Sequence, residues 1–193
     1  FGIAFLPGGM IAYTQLAPEP IGGDPVRGMT TYLRPLAGGT PVKLLGGQTG
    51  GANVPDSDFP IVMDSPHSPF VAGIAAGARV DQVLYLSPRA AVLAGKPEWQ
   101  LVVGMDDKVG GGAVRGNQVY LLSAKTNPAR EVLVRPLDAK GRPGPATLLF
   151  KGNERLILNG VTAARDGIYI TATTDGAARL FFTPGGRAAV REV

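Results

Sequence analysis

The sequence contains no cysteine and only one histidine among its 193 residues. The absence of cysteine excludes disulfide bridges, thiolate-bound zinc and a cysteine nucleophile, but it leaves both the cytoplasm and the periplasm open as compartments. No apolar run approaches the ~20 residues that a membrane-spanning helix needs, so no membrane partner is expected. Because Phe1 already falls in a strand-like segment, we expect the sequence to be excised from a longer protein, and any targeting segment to have been lost with the rest.

Charge is also scarce, since only 18% of the residues are charged. The 19 basic residues outnumber the 15 acidic ones, which gives a net charge of +4, and they are scattered singly or in pairs. A nucleic-acid surface needs a basic patch or stripe, so no nucleic-acid partner is expected. Apolar residues make up 45% of the chain, which is enough to bury a core and argues against disorder.

Glycine and proline, in contrast, are abundant, at 28 and 17 residues. This composition suits an all-β chain in which every hairpin needs a turn. The clearest hairpin lies in residues 117–136, where two apolar strands, 118–124 and 130–136, flank the turn sequence Lys-Thr-Asn-Pro. The second strand ends in two large apolar residues, a polar one and a proline.

That ending recurs along the chain, with its prolines at 35, 88, 136 and 184, which are 53, 48 and 48 residues apart. A period of about 40–50 residues built from strands is typical of a β-propeller with one blade per repeat. We therefore predict an all-β fold of four-stranded antiparallel blades, at about residues 2–47, 59–104, 105–152 and 156–193. Residues 17–28 are predicted to form a long loop, residues 46–58 a flexible connector, and residues 89–95 an irregular link. Trp99 is expected to cap the space between two blades.

Three segments resemble the N-terminal propeller domain of the prolyl oligopeptidase family of serine peptidases, the S9 type. In residues 116–137, Ser123 stands at the family's hydroxyl position and Pro128 at its proline, although Asn127 replaces the usual alanine and Ala129 precedes the arginine. Residues 158–193 follow the family's order of strands and turns. The strand entry at residues 65–74 is similar, but it has Pro-His where the family has Asp-Gly.

The resemblance implies a seven-bladed propeller set over an α/β-hydrolase domain that carries the catalytic Ser, Asp and His. The propeller would act as a gate that admits short peptides and excludes folded proteins. This chain would be roughly the later half of that propeller, without the hydrolase domain.

The residues themselves offer no catalytic site. No serine stands in the Gly-x-Ser-x-Gly frame that a nucleophile elbow needs. His67 lies too close in sequence to Asp64, Ser65 and Ser68 for their side chains to converge as a triad, so it is interpreted as a turn residue. Arg34 and Arg135 occupy matching positions before a proline and are the candidate channel-facing residues, which could attract a peptide C-terminus.

Neither a metal nor a cofactor is expected. The aspartates at 56, 58, 64, 106 and 107 lack the spacing of an EF-hand calcium loop, and the glycines at 110, 111 and 112 lack the Lys and the following helix of a phosphate loop. We interpret both groups as parts of solvated or flexible loops.

Two alternatives to the peptidase propeller stay open. One is a stand-alone propeller that binds a protein partner through loops 17–28 and 46–58, and the other is a small closed ring of four blades with a ligand in its channel. Because an open arc exposes strand edges, an isolated arc is expected to associate or aggregate.

Overall fold

The computed structural model describes residues 2–19, 21–24, 26–186 and 188–193. Their strands form four four-stranded antiparallel sheets and one two-stranded hairpin. In every four-stranded sheet the strands lie in chain order, so the first and fourth strands are the two edges. The predicted fold class, a β-propeller of four-stranded blades, is confirmed.

The first half of the chain contains blades one and two and a small hairpin between them. Blade one consists of β1 (Ile3–Leu6), β2 (Met10–Gln15), β3 (Thr30–Pro35) and β4 (Val42–Leu45), and the hairpin of β5 (Gly47–Thr49) and β6 (Ala52–Val54). Blade two consists of β7 (Phe59–Asp64), β8 (Phe70–Ala76), β9 (Gln82–Pro88) and β10 (Gln100–Val103), with helix α1 (Arg89–Leu93) before its last strand.

The second half contains blades three and four. Blade three begins after a 3-10 turn (Met105–Asp107) and consists of β11 (Val109–Arg115), β12 (Gln118–Ser123), β13 (Glu131–Pro136) and β14 (Thr147–Lys151). Blade four consists of β15 (Leu156–Ala163), β16 (Ile168–Thr174), β17 (Ala177–Thr183) and β18 (Arg191–Glu192). Phe1 and Arg187, both expected in strands, lie outside the described residues.

The first strands of neighbouring blades lie together, as the inner strands of a propeller do. β1 packs beside β7, and β11 packs beside β15, which brings the first strands of neighbouring blades together. None of the described helices is long and apolar enough to cross a bilayer.

The alternation of side chains in β12 shows why neighbouring blades hold each other. Val119 and Leu121 belong to the core shared with blade two, whereas Tyr120 and Leu122 belong to the core shared with blade four. All four are at most 2% exposed. A strand covered on both faces reads as a continuous apolar run, and this explains the prominence of the stretch in the sequence.

The segment between blades one and two is not the flexible connector predicted for residues 46–58. Gly50 and Gly51 have positive φ angles of 58° and 89° and form the turn between β5 and β6. Ala52 and Val54 are buried in the core between blades one and two. The prediction was wrong because only two alternating apolar residues, set among glycines, mark the hairpin in the sequence.

Two other expectations also need correction. Residues 89–95 are not an irregular link, since α1 forms there and buries Val92 completely. The glycines at 110, 111 and 112 do not form a flexible loop but lie inside β11, where Gly111 and Gly112 pair with β12. Glycine weakens a strand and often marks a bulge, and β11 does shift register between Val109 and Gly111.

The face of blade one that blade two does not cover exposes large apolar side chains to solvent, with Ile3 65% and Phe5 68% exposed. Exposed apolar sheet faces favour association. We therefore expect the isolated chain to form oligomers or aggregates at micromolar concentration in light scattering. A monodisperse species of 20.0 kDa would contradict this expectation.

Candidate functional site: a cavity between blades two and three

A cavity of about 290 Å³ lies between blades two and three, beside the propeller axis. Its walls come from the end of β7 and the turn after it, from β8 and β9, and from β11, and β15 closes one side. The apolar wall residues include Ile74, Leu84, Val114 and Val161. It is the candidate site because it combines an apolar interior with a few polar groups at the axis.

β11 contributes almost no side chain to the cavity at Gly111 and Ala113. These two residues pair with Leu122 and Tyr120 in β12, so they share the face that points towards blade four. Gly111 has no atom within 4 Å of the position that a Cβ would occupy, and its φ angle is not in the left-handed region. Larger residues at these two positions would fill the part of the cavity beside β15.

Gly112, the neighbour of Gly111, is glycine for a different reason. A Cβ on Gly112 would lie 2.6 Å from the backbone carbonyl oxygen of Tyr120 in the paired strand. We expect Gly112→Ala to destabilise the chain by about 1–3 kcal/mol, because β11 must move away from β12. Gly111→Ala should change stability by less than about 0.5 kcal/mol. Chemical denaturation followed by circular dichroism measures the stability of both variants. Equal losses of stability would contradict the inference that only Gly112 is crowded by the neighbouring strand.

Four uncharged polar side chains line the cavity, namely those of Ser65, His67 and Gln82 in blade two and that of Thr162 in β15. In the part of the chain that the structure describes, Ser65 and His67 accept hydrogen bonds through their backbone carbonyl oxygens and not through their side chains. His67 is exposed, Gln82 is half-buried and Ser65 is largely buried. Their hydrogen-bonding capacity is therefore available to a molecule in the cavity.

The turn that carries Ser65 and His67 is fixed by Arg89, the first residue of α1. Its guanidinium pairs with the Asp64 carboxylate and donates to the carbonyl oxygens of Ser65, at 2.6 Å, and Ser68, at 2.7 Å. The pair neutralises the acidic side chain nearest the cavity, so the cavity carries no net charge from it. Sequence reasoning missed Arg89, because its partners lie 21 to 25 residues earlier.

The same turn is tied to blade three. The Ser68 hydroxyl donates to the carbonyl oxygen of Gly116, at 2.9 Å, and the Gly116 N–H donates to the carbonyl oxygen of His67, at 2.7 Å. Since Asp64 is paired with Arg89 and Ser68 with Gly116, these side chains do not assemble a triad around His67.

The two candidate channel-facing arginines lie on third strands, away from the axis. Arg135 donates to the carbonyl oxygens of Val102, at 2.7 Å, and Gly144, at 2.8 Å, and so joins the outer parts of blades two and three. Arg34 pairs with Ile11 across β3 and β2 on the outer face of blade one. Each arginine is therefore two strands removed from the first strand of its blade, and its facing of the channel stays a prediction.

Three of the five aspartates considered for calcium, namely Asp58, Asp64 and Asp107, have partners within the protein. Asp58 is buried and pairs with Arg79, and Asp107 accepts a hydrogen bond from the Gly104 N–H, at 2.9 Å. The hydrogen bond to Asp58 raises the pKa of Arg79 above its ordinary value. Across residues 2–19, 21–24, 26–186 and 188–193, no cluster of three or more potential ligands could hold a metal ion.

No protein-family model and no curated protein sequence matches this chain. Among solved structures, a prolyl endopeptidase from a study of two such enzymes is similar over 100% of this chain, with a TM-score of 0.75 and 14% identity. Prolyl oligopeptidase B from Galerina marginata, without ligand, is similar over 99% of it, with a TM-score of 0.75 and 11% identity. The same enzyme bound to a 35mer substrate gives a TM-score of 0.72 at 9% identity.

This chain spans 26–27% of the length of those structures. At such low identity the likeness shows the fold alone. It does establish that the arrangement of the four blades, over essentially all the described residues, is one found in prolyl oligopeptidases.

Proposed function

We propose that this chain is part of the substrate-admitting propeller of a prolyl oligopeptidase-type serine peptidase that hydrolyses short peptides. The observation that carries the proposal is the likeness of the whole four-blade arc to the prolyl endopeptidase and oligopeptidase structures. The resemblance in residues 116–137 supports it independently, since it rests on sequence.

The geometry near the axis suits such a role. The inner strands of neighbouring blades lie side by side, and β11 has three consecutive glycines where it passes the axis. Short side chains on β11 leave room for an extended peptide beside the inner strands. In this proposal the blades select substrates by width, and a hydrolase domain supplies the catalytic serine, aspartate and histidine.

The test is a size-selection assay on the native protein, captured from its source with an antibody raised against this chain. We expect it to cleave a short fluorogenic peptide containing proline and to leave the same sequence intact when it is displayed on a folded protein. Cleavage of both at similar rates would overturn the gating role. Cleavage of neither substrate would overturn the proposal that the protein is a peptidase.

A second candidate, a scaffold that binds a protein partner, is favoured by one feature of blade one. The loop of residues 17–28 is joined to the following connector by a hydrogen bond from the Gly28 N–H to the Asp56 carbonyl oxygen, at 2.8 Å. Together they present Leu16, Ile21 and Val26, each 37–38% exposed. Exposed apolar groups of this kind favour protein contacts. Capture of a stoichiometric partner that is lost on Ile21→Asp would support the scaffold over the peptidase.

A further inference from the structure

We propose that the cavity between blades two and three binds a bulky uncharged apolar side chain of a peptide, with the peptide's backbone amide hydrogen-bonded at the rim. The proposal rests on the proposed function, because it identifies which part of a passing peptide the propeller recognises.

The walls determine the apolar part of the ligand. Ile74, Leu84 and Val114 surround the space, and Ala113 and Gly111 keep it open. Apolar walls offer water no hydrogen bonds, so an apolar group displaces water from the cavity with a favourable free energy. A volume of about 290 Å³ accommodates an aliphatic side chain or a single aromatic ring together with part of the adjoining backbone.

The rim determines the polar part. The hydroxyl of Ser65, the imidazole of His67 and the amide of Gln82 can each donate and accept a hydrogen bond. A peptide group offers one donor and one acceptor, which is what these three side chains complement. Because Asp64 is neutralised by Arg89, the rim offers neither a free carboxylate nor a free guanidinium to a charged side chain.

The position of the cavity gives a peptide access to it. Met63, on the same inner strand as the turn that carries His67, is 50% exposed, and Gly111 is open on the opposite side. Both residues line the cavity, and neither is fully buried, so a peptide in solvent can reach it there. The cavity can therefore bind one side chain while the rest of the peptide stays extended.

His67 provides a direct readout, because it is the only histidine in the 193-residue chain. The experiment is a titration of the chain with N-acetyl-leucinamide, N-acetyl-phenylalaninamide and N-acetyl-aspartate amide, following the imidazole proton resonances by NMR. We expect saturable shifts with the leucine and phenylalanine compounds and at least tenfold weaker binding of the aspartate compound.

Two glycine variants locate the binding. Gly111→Val adds a branched side chain to the cavity lining on the side of β15, where nothing lies within 4 Å of the added Cβ, and should weaken binding at least tenfold. Gly104→Val is the matched control, since Gly104 is also extended and unobstructed but does not line the cavity. It should bind as the unmodified chain does. Circular dichroism of both variants verifies that they are folded.

Three results would overturn the proposal: no saturable shift with the apolar amides, equal binding of the aspartate compound, or unaltered binding by folded Gly111→Val. The first two results are obtained with the unmodified chain, so they test the proposal even if a variant misfolds. If this chain binds the apolar amides but its source protein has no peptidase activity, the binding cavity is upheld and the proposed function is rejected. If the source protein is a peptidase but this chain does not bind the amides, the proposed function is upheld and the binding cavity is rejected.

Discussion

Trp99→Ala is expected to lower the free energy of unfolding by about 3–5 kcal/mol, the range for truncating a buried large aromatic side chain. Trp99 lies directly before β10, is only 3% exposed and belongs to the core between blades one and two. Its ring lies against Gly50 and Gly73, where a Cβ would approach ring atoms to 3.1 Å and 3.0 Å. The expected filling of an inter-blade space by Trp99 is therefore what the structure shows.

Part of this loss comes from a hydrogen bond. The indole N–H of Trp99 donates to the carbonyl oxygen of Leu44, at 2.8 Å, and so joins blade two to β4. Trp99→Phe keeps most of the ring contacts but leaves that buried carbonyl without its donor, at a cost of about 1–3 kcal/mol. Urea unfolding followed by circular dichroism measures both variants. If Trp99→Ala loses less stability than Trp99→Phe, the packing role assigned to the ring is contradicted.

Arg79→Met is expected to destabilise the chain by about 2–4 kcal/mol, because it leaves the Asp58 carboxylate buried without its charged partner. The Asp58 side chain is 1% exposed and that of Arg79 is 30% exposed. Both guanidinium nitrogens at the end of Arg79 bind the two carboxylate oxygens of Asp58. The pair holds the segment before β7 against the loop between β8 and β9. We place the value below the upper limit for buried pairs because Arg79 is partly solvated.

The double variant separates the two contributions. Adding Asp58→Asn to Arg79→Met removes the buried charge, so it should recover part of the lost stability. Arg142→Met is the matched control, since Arg142 is exposed and, among the described residues, its guanidinium donates to the side chain of Gln100, at 3.3 Å. It should alter stability by less than about 0.5 kcal/mol. A double variant that is less stable than Arg79→Met alone would contradict the buried-charge explanation.

The blade pattern could be predicted from the sequence because it depends on local features. The recurring Pro after an apolar strand end, the β12 run and the Asp-Gly turns all act within a few residues. At Asp175 and Gly176, for example, φ angles of 49° and 80° give the turn that the dipeptide predicts between β16 and β17.

The cavity could not be predicted, because it depends on the distance between strands that are far apart in the sequence. Its two sides, at Met63 and Gly111, come from different sheets, and the glycines that open it are equally typical of a loop. The roles of Arg89 and Arg135 were missed for the same reason, as their partners are distant in sequence and, apart from the Asp64 carboxylate, are backbone carbonyls, which carry no sequence signal. Only the packing of blade two against blade three brings these groups together.

The most direct test of the central proposal is to label the native source protein with a fluorophosphonate probe for serine hydrolases and to measure the intact mass of the labelled species. The account predicts a labelled protein much heavier than 20.0 kDa that contains peptides of this chain. An unlabelled protein of about that mass would contradict it, and the propeller would then be a binding scaffold without hydrolase activity.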